Sequence, residues 1–406
     1  MLAGRGALVT GGSQGFGLEV ARALVREGAD VFICAREGGE LERAHAELVA
    51  LASPDQRIGA QVADVGRERD VLELVTAVAE LLPRFSVLVN NAGIYGPKGG
   101  LADVDWDEWL HAIGVNLAGS ALAARAAFPH FLRAGYGKVI QLSGGGATAP
   151  LPGLSAYAAS KAAVVRLAET LALEWRAHKI DVNALAPGAL NTRLLDEVIE
   201  AGPERVGAAF HERALRQQAE GGASMVDAAA CVVWLASSHS DGITGKLLSA
   251  VWDPWRDLPS HAADLESDVY TLRRIVPVDR GLDWGDPPAG NALGVLWGDH
   301  TGCPRGFPAA RAAPLPAAPV AMNAAENKLN AGRMLALTGR FSLPGSAALA
   351  VQDEPPDVGA CASDTVRVRW RDWVKPTVST ARPAQRSPLR AFPASGRRSP
   401  GTCQAR

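Results

Sequence analysis

Residues 7–35 read ALVTGGSQGFGLEVARALVREGADVFICA. An apolar run at 7–10 gives way to glycines at positions 11, 15 and 17. Leu18, Ala21, Leu24 and Val25 then recur at helical spacing, and Gly28 stops the pattern. A second apolar run follows at 31–35. Strand, glycine turn, helix and strand within about 30 residues is the context in which a glycine motif points to a dinucleotide. The motif is G-x-x-x-G-x-G, with Ser13, Gln14 and Phe16 set around Gly11, Gly15 and Gly17. Backbone N–H groups without side chains in the way can approach a pyrophosphate, and the helix start adds partial positive charge. Glycines also mark plain turns, so the motif needs partners.

The end of the second run discriminates between cofactors. A carboxylate there would bind the adenosine ribose of NAD, whereas an arginine accommodates the 2′-phosphate of NADP. The run ends in Ala35 and Arg36, which favours NADP(H) over NAD(H), although a solvated arginine at a strand end has the same appearance. Two further strand ends follow. Residues 61–65 read QVADV, with Asp64 and Val65 placed at the rim, and 86–93 read SVLVNNAG, closing on Asn90, Asn91, Ala92 and Gly93. In open α/β sheets the ligand lies at such carboxyl ends. Asp64 can accept from the adenine amino group or cap the helix begun by GRERDVLELV.

Residues 106–132 form a long helical pattern that carries Asn116 among apolar neighbours. A buried asparagine must be hydrogen-bonded, so its role is structural or catalytic. Residues 138–143, KVIQLS, predict a buried strand ending in Ser143. Residues 155–175 predict a helix on which Tyr157 and Lys161, four apart, share a face. An ammonium beside a phenol favours phenolate, and the expectation is a Tyr157 pKa below its ordinary value near 10. Such a phenol is a general acid for a carbonyl and a general base for an alcohol. Between serine and tyrosine lies GGGATAPLPGLSA. Its Gly144, Gly145 and Gly146 suggest room beside Ser143, and Leu151, Pro152 and Leu154 are expected to line the substrate side.

With these residues in order, 5 to about 250 resemble the short-chain dehydrogenase/reductase family. The resemblance rests on Thr10, the glycine motif, Asp64, Asn90 to Gly93, Asn116, Ser143, Tyr157 with Lys161, and Pro187-Gly188. It implies an α/β fold, a Rossmann-like doubly wound parallel sheet of about seven strands with helices on both faces. It implies that Tyr157 is the acid/base, that Ser143 hydrogen-bonds the substrate oxygen, and that Lys161 tunes the tyrosine and holds the nicotinamide ribose. Asn116 would anchor the water of a proton relay, and Pro187, Gly188 and Thr192 would meet the nicotinamide end. The implied activity is NAD(P)(H)-dependent interconversion of a ketone and a secondary alcohol, on a small-molecule substrate. Homodimers or homotetramers through the helices carrying Asn116 and Tyr157 are a common family arrangement. The polar stretch 190–224 sits where the family keeps a substrate lid, and its Arg193, Arg205, Arg213 and Arg216 either meet an anionic group or are solvated. The competing reading is a catalytically silent nucleotide sensor or scaffold on the same fold.

The remainder of the 406 residues bounds the picture. A net charge of −2 implies no strong pull on nucleic acid or an anionic membrane. No run reaches about eighteen apolar residues, so no membrane span is expected. Five cysteines without ligand-like spacing predict no metal site and a reduced, cytoplasmic chain. From 285 the text changes. That segment holds 15 of the 26 prolines, and its 13 Arg and 2 Lys against 8 acids leave it at +7 and residues 1–284 at −9. Such text rarely buries enough apolar surface to offset its ordering entropy. Residues 285–406 are therefore expected to be a largely disordered tail, with a nucleic-acid arm or an out-of-frame continuation as alternatives. Residues 251–284, with three tryptophans, read as an extension packed on a catalytic domain at 1–250.

Overall fold

The structure, a computed structural model, describes residues 1–285. The tail expected over 285–406 lies, apart from Gly285, outside the described residues. Seven strands form one parallel sheet: β1 (Gly6–Thr10), β2 (Asp30–Ala35), β3 (Ile58–Val62), β4 (Phe85–Asn90), β5 (Gly137–Leu142), β6 (Ile180–Ala186) and β7 (Leu247–Ser249). Their order is β3-β2-β1-β4-β5-β6-β7. The chain builds outward from β1 to β3, then returns to lay β4 on the other side of β1. That reversal opens a crevice at the carboxyl ends of β1 and β4, the place where such sheets bind ligands.

Both sheet faces are covered, which is why β1, β4 and β5 are buried throughout, down to the polar Ser86, Lys138 and Gln141. Alternation sorts the side chains. Ala7, Val9, Val31, Ile33, Val87, Val89, Ile140 and Leu142 face the layer of α1 (Gly15–Arg26), α2 (Gly38–Leu51) and the later helix at Met225–Ala236. Leu8, Phe32, Leu88 and Val139 face α3 (Glu68–Leu81) and the helices that follow β4 and β5.

The long helical pattern from 106 is three pieces. The Asp105 carboxylate accepts from the Glu108 N–H at 2.8 Å and starts α4 (Trp106–Ile113). A π turn over Gly114–Ala118 follows, then α5 (Gly119–Ala134). The helix α6 (Ser155–Trp175) keeps its expected bounds. A lid of α7 (Arg193–Ala201), α8 (Pro203–Val206) and α9 (Ala208–Glu220) precedes α10 (Met225–Ala236). Among the described residues no single helix is long and apolar enough to cross a membrane.

Beyond β7 the chain folds back along the sheet edge. Tyr270 O accepts from Leu247 N at 2.7 Å, Lys246 Nζ donates to Ser267 O and Val269 O, and Leu272 N donates to Glu169 Oε1 at 2.6 Å. Of the three tryptophans, only Trp255 is buried, against Trp234 in the α1–α10 layer. Trp252 and Trp284 stay exposed.

Candidate active site

A cleft of about 860 Å³ opens over the carboxyl ends of the strands. Its floor is the glycine turn. Gly11 and Gly15 hold φ of +65° and +54°, a region that disfavours other residues. A Cβ on Gly17 would stand 2.2 Å from Gly11 O and 2.4 Å from Asn91 Nδ2, so this position is glycine by contact and not by conformation. Asn91 donates through Nδ2 to Thr10 O and Gly11 O at 2.9 and 3.0 Å. Thr10 Oγ1 accepts from the N–H groups of Asn91 and Ala92 at 3.1 Å each. The turns after β1 and β4 are thereby one unit.

Most of the residues read from sequence line this cleft: Gly11, Ser13, Gln14, Gly15, Phe16, Gly17, Arg36, Asp64, Val65, Ala92, Gly93, Ser143, Tyr157, Lys161, Pro187, Gly188 and Thr192. Asp64 Oδ1 accepts from Gly66 N at 2.9 Å, while α3 begins only at Glu68, so the carboxylate caps the turn ahead of the helix. Thr192 faces Gly15 across the cleft, with its methyl 3.7 Å from where a Cβ on Gly15 would lie.

Asn90 and Asn116 are not on the cleft wall. Asn90 is buried and donates to Ser120 O at 3.0 Å, on the side opposite Asn91. Cleft contact falls to Asn91 instead, because successive strand residues face opposite ways. Asn116 works from behind. Its Oδ1 accepts from Ile94 N at 2.8 Å, and its Nδ2 donates to Ile94 O and Ser160 Oγ at 2.9 Å each. Ser160, which the sequence reading passed over, donates in turn to Tyr157 O at 2.7 Å. The π turn, the loop after β4 and the tyrosine helix are thus joined through one amide.

Lys161 is buried, donates to Leu142 O at 2.7 Å, and lies 5.5 Å from the Tyr157 ring centroid. Burial pulls its ammonium down from the ordinary 10.5 to about 8. The expected lowering of the tyrosine does not hold in the chain on its own. Burial, with Tyr95 adding a smaller effect, pushes the Tyr157 phenol up from 10.0. Desolvation outweighs the lysine because the ammonium sits beside the ring and backbone, with its charge itself disfavoured. A ¹³C-labelled lysine spectrum of the cofactor-free protein should show Lys161 titrating near pH 8. A midpoint above 10, the ordinary lysine range, would contradict this reading of its burial.

Ser143 keeps 4% of its surface exposed, and its Oγ has no hydrogen-bond partner among the described residues. The residue against the phenol oxygen is the next one. A Cβ on Gly144 would stand 2.7 Å from Tyr157 Oη. Of the three glycines, Gly145 borders open space, whereas Gly146 packs on Ala158 of α6. Leu151 lines the cleft as expected. Pro152 is exposed and Leu154 is fully buried ahead of α6, so neither belongs to the wall; the loop needs them for packing. From the lid, Arg193 and Arg213 reach the cleft and Arg205 and Arg216 do not. The sequence reading missed Ile94, Tyr95, Leu195, Val198, Phe210 and Trp252, all of which line it.

Residues 5–202 match the family model described as short chain dehydrogenase. A 3beta-hydroxysteroid dehydrogenase 1 from Eggerthella lenta is 36% identical over 249 residues, spanning 61% of this chain and 92% of its own. Among solved structures, a variant actinorhodin polyketide ketoreductase with NADPH is 29% identical with a TM-score of 0.56, covering 61% of this chain and 97% of that one. An NAD+-bound xylitol dehydrogenase is 25% identical with a TM-score of 0.56, covering 61% and 98%. Parallel sheet, glycine turn, Tyr157–Lys161 pair and these likenesses agree: the chain belongs to the short-chain dehydrogenase/reductase family of oxidoreductases.

Proposed function

We propose that this chain interconverts a ketone and a secondary alcohol, with Tyr157 as the acid/base and NADP(H) as the favoured cofactor. The observation that carries the proposal is one helix face of α6. It brings Tyr157 and Lys161 into the same cleft as the glycine turn, with the phenol oxygen at the carboxyl end of β5. A bound nicotinamide cofactor supplies or accepts the hydride. The residues present fit such a group: the glycine turn keeps side chains away from the phosphate region, and the turn at Pro187, Gly188 and Thr192 bounds the opposite end.

Tyr157 holds its proton through neutral pH in the free chain, as donation to a carbonyl requires. Lys161 keeps a positive charge below about pH 8 and stabilises the phenolate that donation leaves. Asn116 holds Ile94 and Ser160, and through them the tyrosine helix. Ser143 enters as a wall residue whose buried hydroxyl is available to a substrate oxygen. Beyond the phenol the wall is Ile94, Tyr95, Leu151, Leu195, Val198 and Phe210. That lining suits a carbonyl compound with an apolar body.

NADP(H) is favoured because β2 ends in Ala35, without a carboxylate at its tip, and Arg36 lines the cleft. Glu37 and Glu40 line the same end and oppose it, so the balance is measurable. Arg36→Ala should raise the Kd for NADPH by about tenfold, or 1.4 kcal/mol, and leave NADH within about twofold. Equal losses would remove the argument. The proposal extends to assembly: α5 and α6, which carry the faces rich in small side chains, are the helices whose pairing would form a dimer or tetramer. An absorbance screen of alicyclic ketones, sugars and acyl thioesters with NADPH and NADH tests the whole reading. Tight cofactor binding with no turnover across the panel would favour a nucleotide-sensing protein.

A further inference from the structure

The loop after β4 carries one residue that touches both the phenol and the lid. The Tyr95 ring meets the Tyr157 ring edge to face, with centroids 4.6 Å apart and planes at 66°. Its other neighbours are the apolar lid cluster of Leu195, Val198, Val206 and Ala214, with Phe210 beside them. Three residues on, Lys98 Nζ pairs with Glu197 Oε2 of α7 at 2.9 Å. Their side chains keep 16% and 30% exposure, so the pair is screened less than a surface one. Among the described residues, this is the ion pair that joins the lid to the rest of the chain.

The segment between ring and ammonium is stiff. Gly96 holds φ +72°, and a Cβ there would stand 2.6 Å from Ala112 Cβ, so the loop is pressed on α4 at that point. Lys98 Nζ also donates to Gly96 O at 3.4 Å and lies 5.8 Å from the Tyr95 ring centroid. Ring and ammonium therefore sit on one short, braced piece of backbone. Asn116 fixes its start by holding both backbone groups of Ile94.

We propose that Tyr95 is a positioning residue for Tyr157, and that the Lys98–Glu197 ion pair couples the seating of the lid to that ring. The inference rests on Tyr157 being the acid/base proposed above. With the lid seated, Glu197 holds Lys98, and the Tyr95 ring limits where the phenol can swing. Without the pair, the ring loses one of its two supports, and the reacting oxygen of a substrate meets a phenol with more freedom.

The test uses the full chain with a ketone found in the screen. Lys98→Glu and Glu197→Lys should each lower kcat by about tenfold, below the roughly 100-fold that a misplacement of about 1 Å can cost. The double charge swap should recover kcat to within about threefold of the unmodified protein, the signature of a direct pair. Tyr95→Leu should lower kcat by about twentyfold, beyond its effect on KM, and Tyr95→Phe should restore most of that loss, because the ring and not the hydroxyl makes the contact. A double swap no better than either single variant, or a Tyr95→Leu change confined to KM, overturns the proposal. Amide exchange reads the coupling without catalysis. Glu197→Gln should speed exchange in α7 and also in 94–98, and unchanged exchange at 94–98 counts against it. Absence of turnover by the unmodified protein would count against the proposed reaction alone.

Discussion

Tyr157→Phe should lower turnover by about 10³-fold or more, at the upper end of what a positioned acid/base supplies, while the Kd for NADPH stays within about threefold. The change deletes one oxygen. The ring contact with Tyr95 and the backbone bond from Ser160 to Tyr157 O survive it. Lys161 also keeps its own anchor, the Leu142 carbonyl. Loss of turnover with cofactor binding intact therefore isolates the proton. The pH dependence follows from the direction of the Tyr157 shift. Burial raises Tyr157, so the protonated form persists through neutral pH and beyond. Ketone reduction, which consumes that proton, should fall as pH rises toward the phenol's working value. Alcohol oxidation, which needs the phenolate, should rise over the same range. Because the phenol lies above its ordinary 10.0, both changes should come above pH 10. Steady-state rates in both directions across that value would show them, and a reduction rate that increases with pH there would sink the assignment. Residual activity of Tyr157→Phe above about a tenth of normal would do the same, being a loss of under 1.4 kcal/mol in barrier.

The sheet was legible because its evidence is local. Each central strand is a largely apolar run that ends at a rim residue, and α6 fell within the bounds its own period gives. The glycine turn and the Tyr157–Lys161 pair were legible for the same reason. The misses lie one residue apart or a hundred. Asn90 and Asn91 differ only in which side of the strand end they face, and the sequence does not show where the pleat stops. Ser143 and Gly144 pose the same problem at the end of β5, where backbone direction decides which residue lies on the phenol oxygen. Lys98 and Glu197 stand 99 positions apart, and nothing in either neighbourhood announces the other. The lid read as polar because its helices show charge outward; the apolar stripe of Leu195, Val198 and Ala214 is interleaved with it. The phenol's pKa was misjudged because sequence spacing reports a nearby charge and says nothing of the desolvation that outweighs it.

Gly17→Ala should raise the Kd for either cofactor by about 100-fold, roughly 2.7 kcal/mol, and lower unfolding stability by about 1–3 kcal/mol, the usual cost of overpacking a tight site. The helix α1 itself would accept alanine better than glycine, so helix propensity predicts the opposite sign. Contact decides. The added methyl would stand 2.2 Å from Gly11 O and 2.4 Å from Asn91 Nδ2, neither of which is a free side-chain end. Gly11 O is backbone in a turn with φ +65°, and Asn91 Nδ2 is committed to Thr10 O and Gly11 O. To make room, α1 must back away from the β1–β4 turns, and its first N–H groups leave the floor of the cleft with it. Gly15→Ala is the control. Its Cβ would meet only Thr192, at 3.7 Å, so its loss arises from φ +54° alone, about 1–2 kcal/mol in stability with no crowding of the β1–β4 turns. Calorimetric titration and thermal unfolding of the two variants separate crowding from backbone strain. A Gly17→Ala protein that binds NADPH as tightly as the Gly15→Ala one would mean that α1 does not need that contact to hold its place.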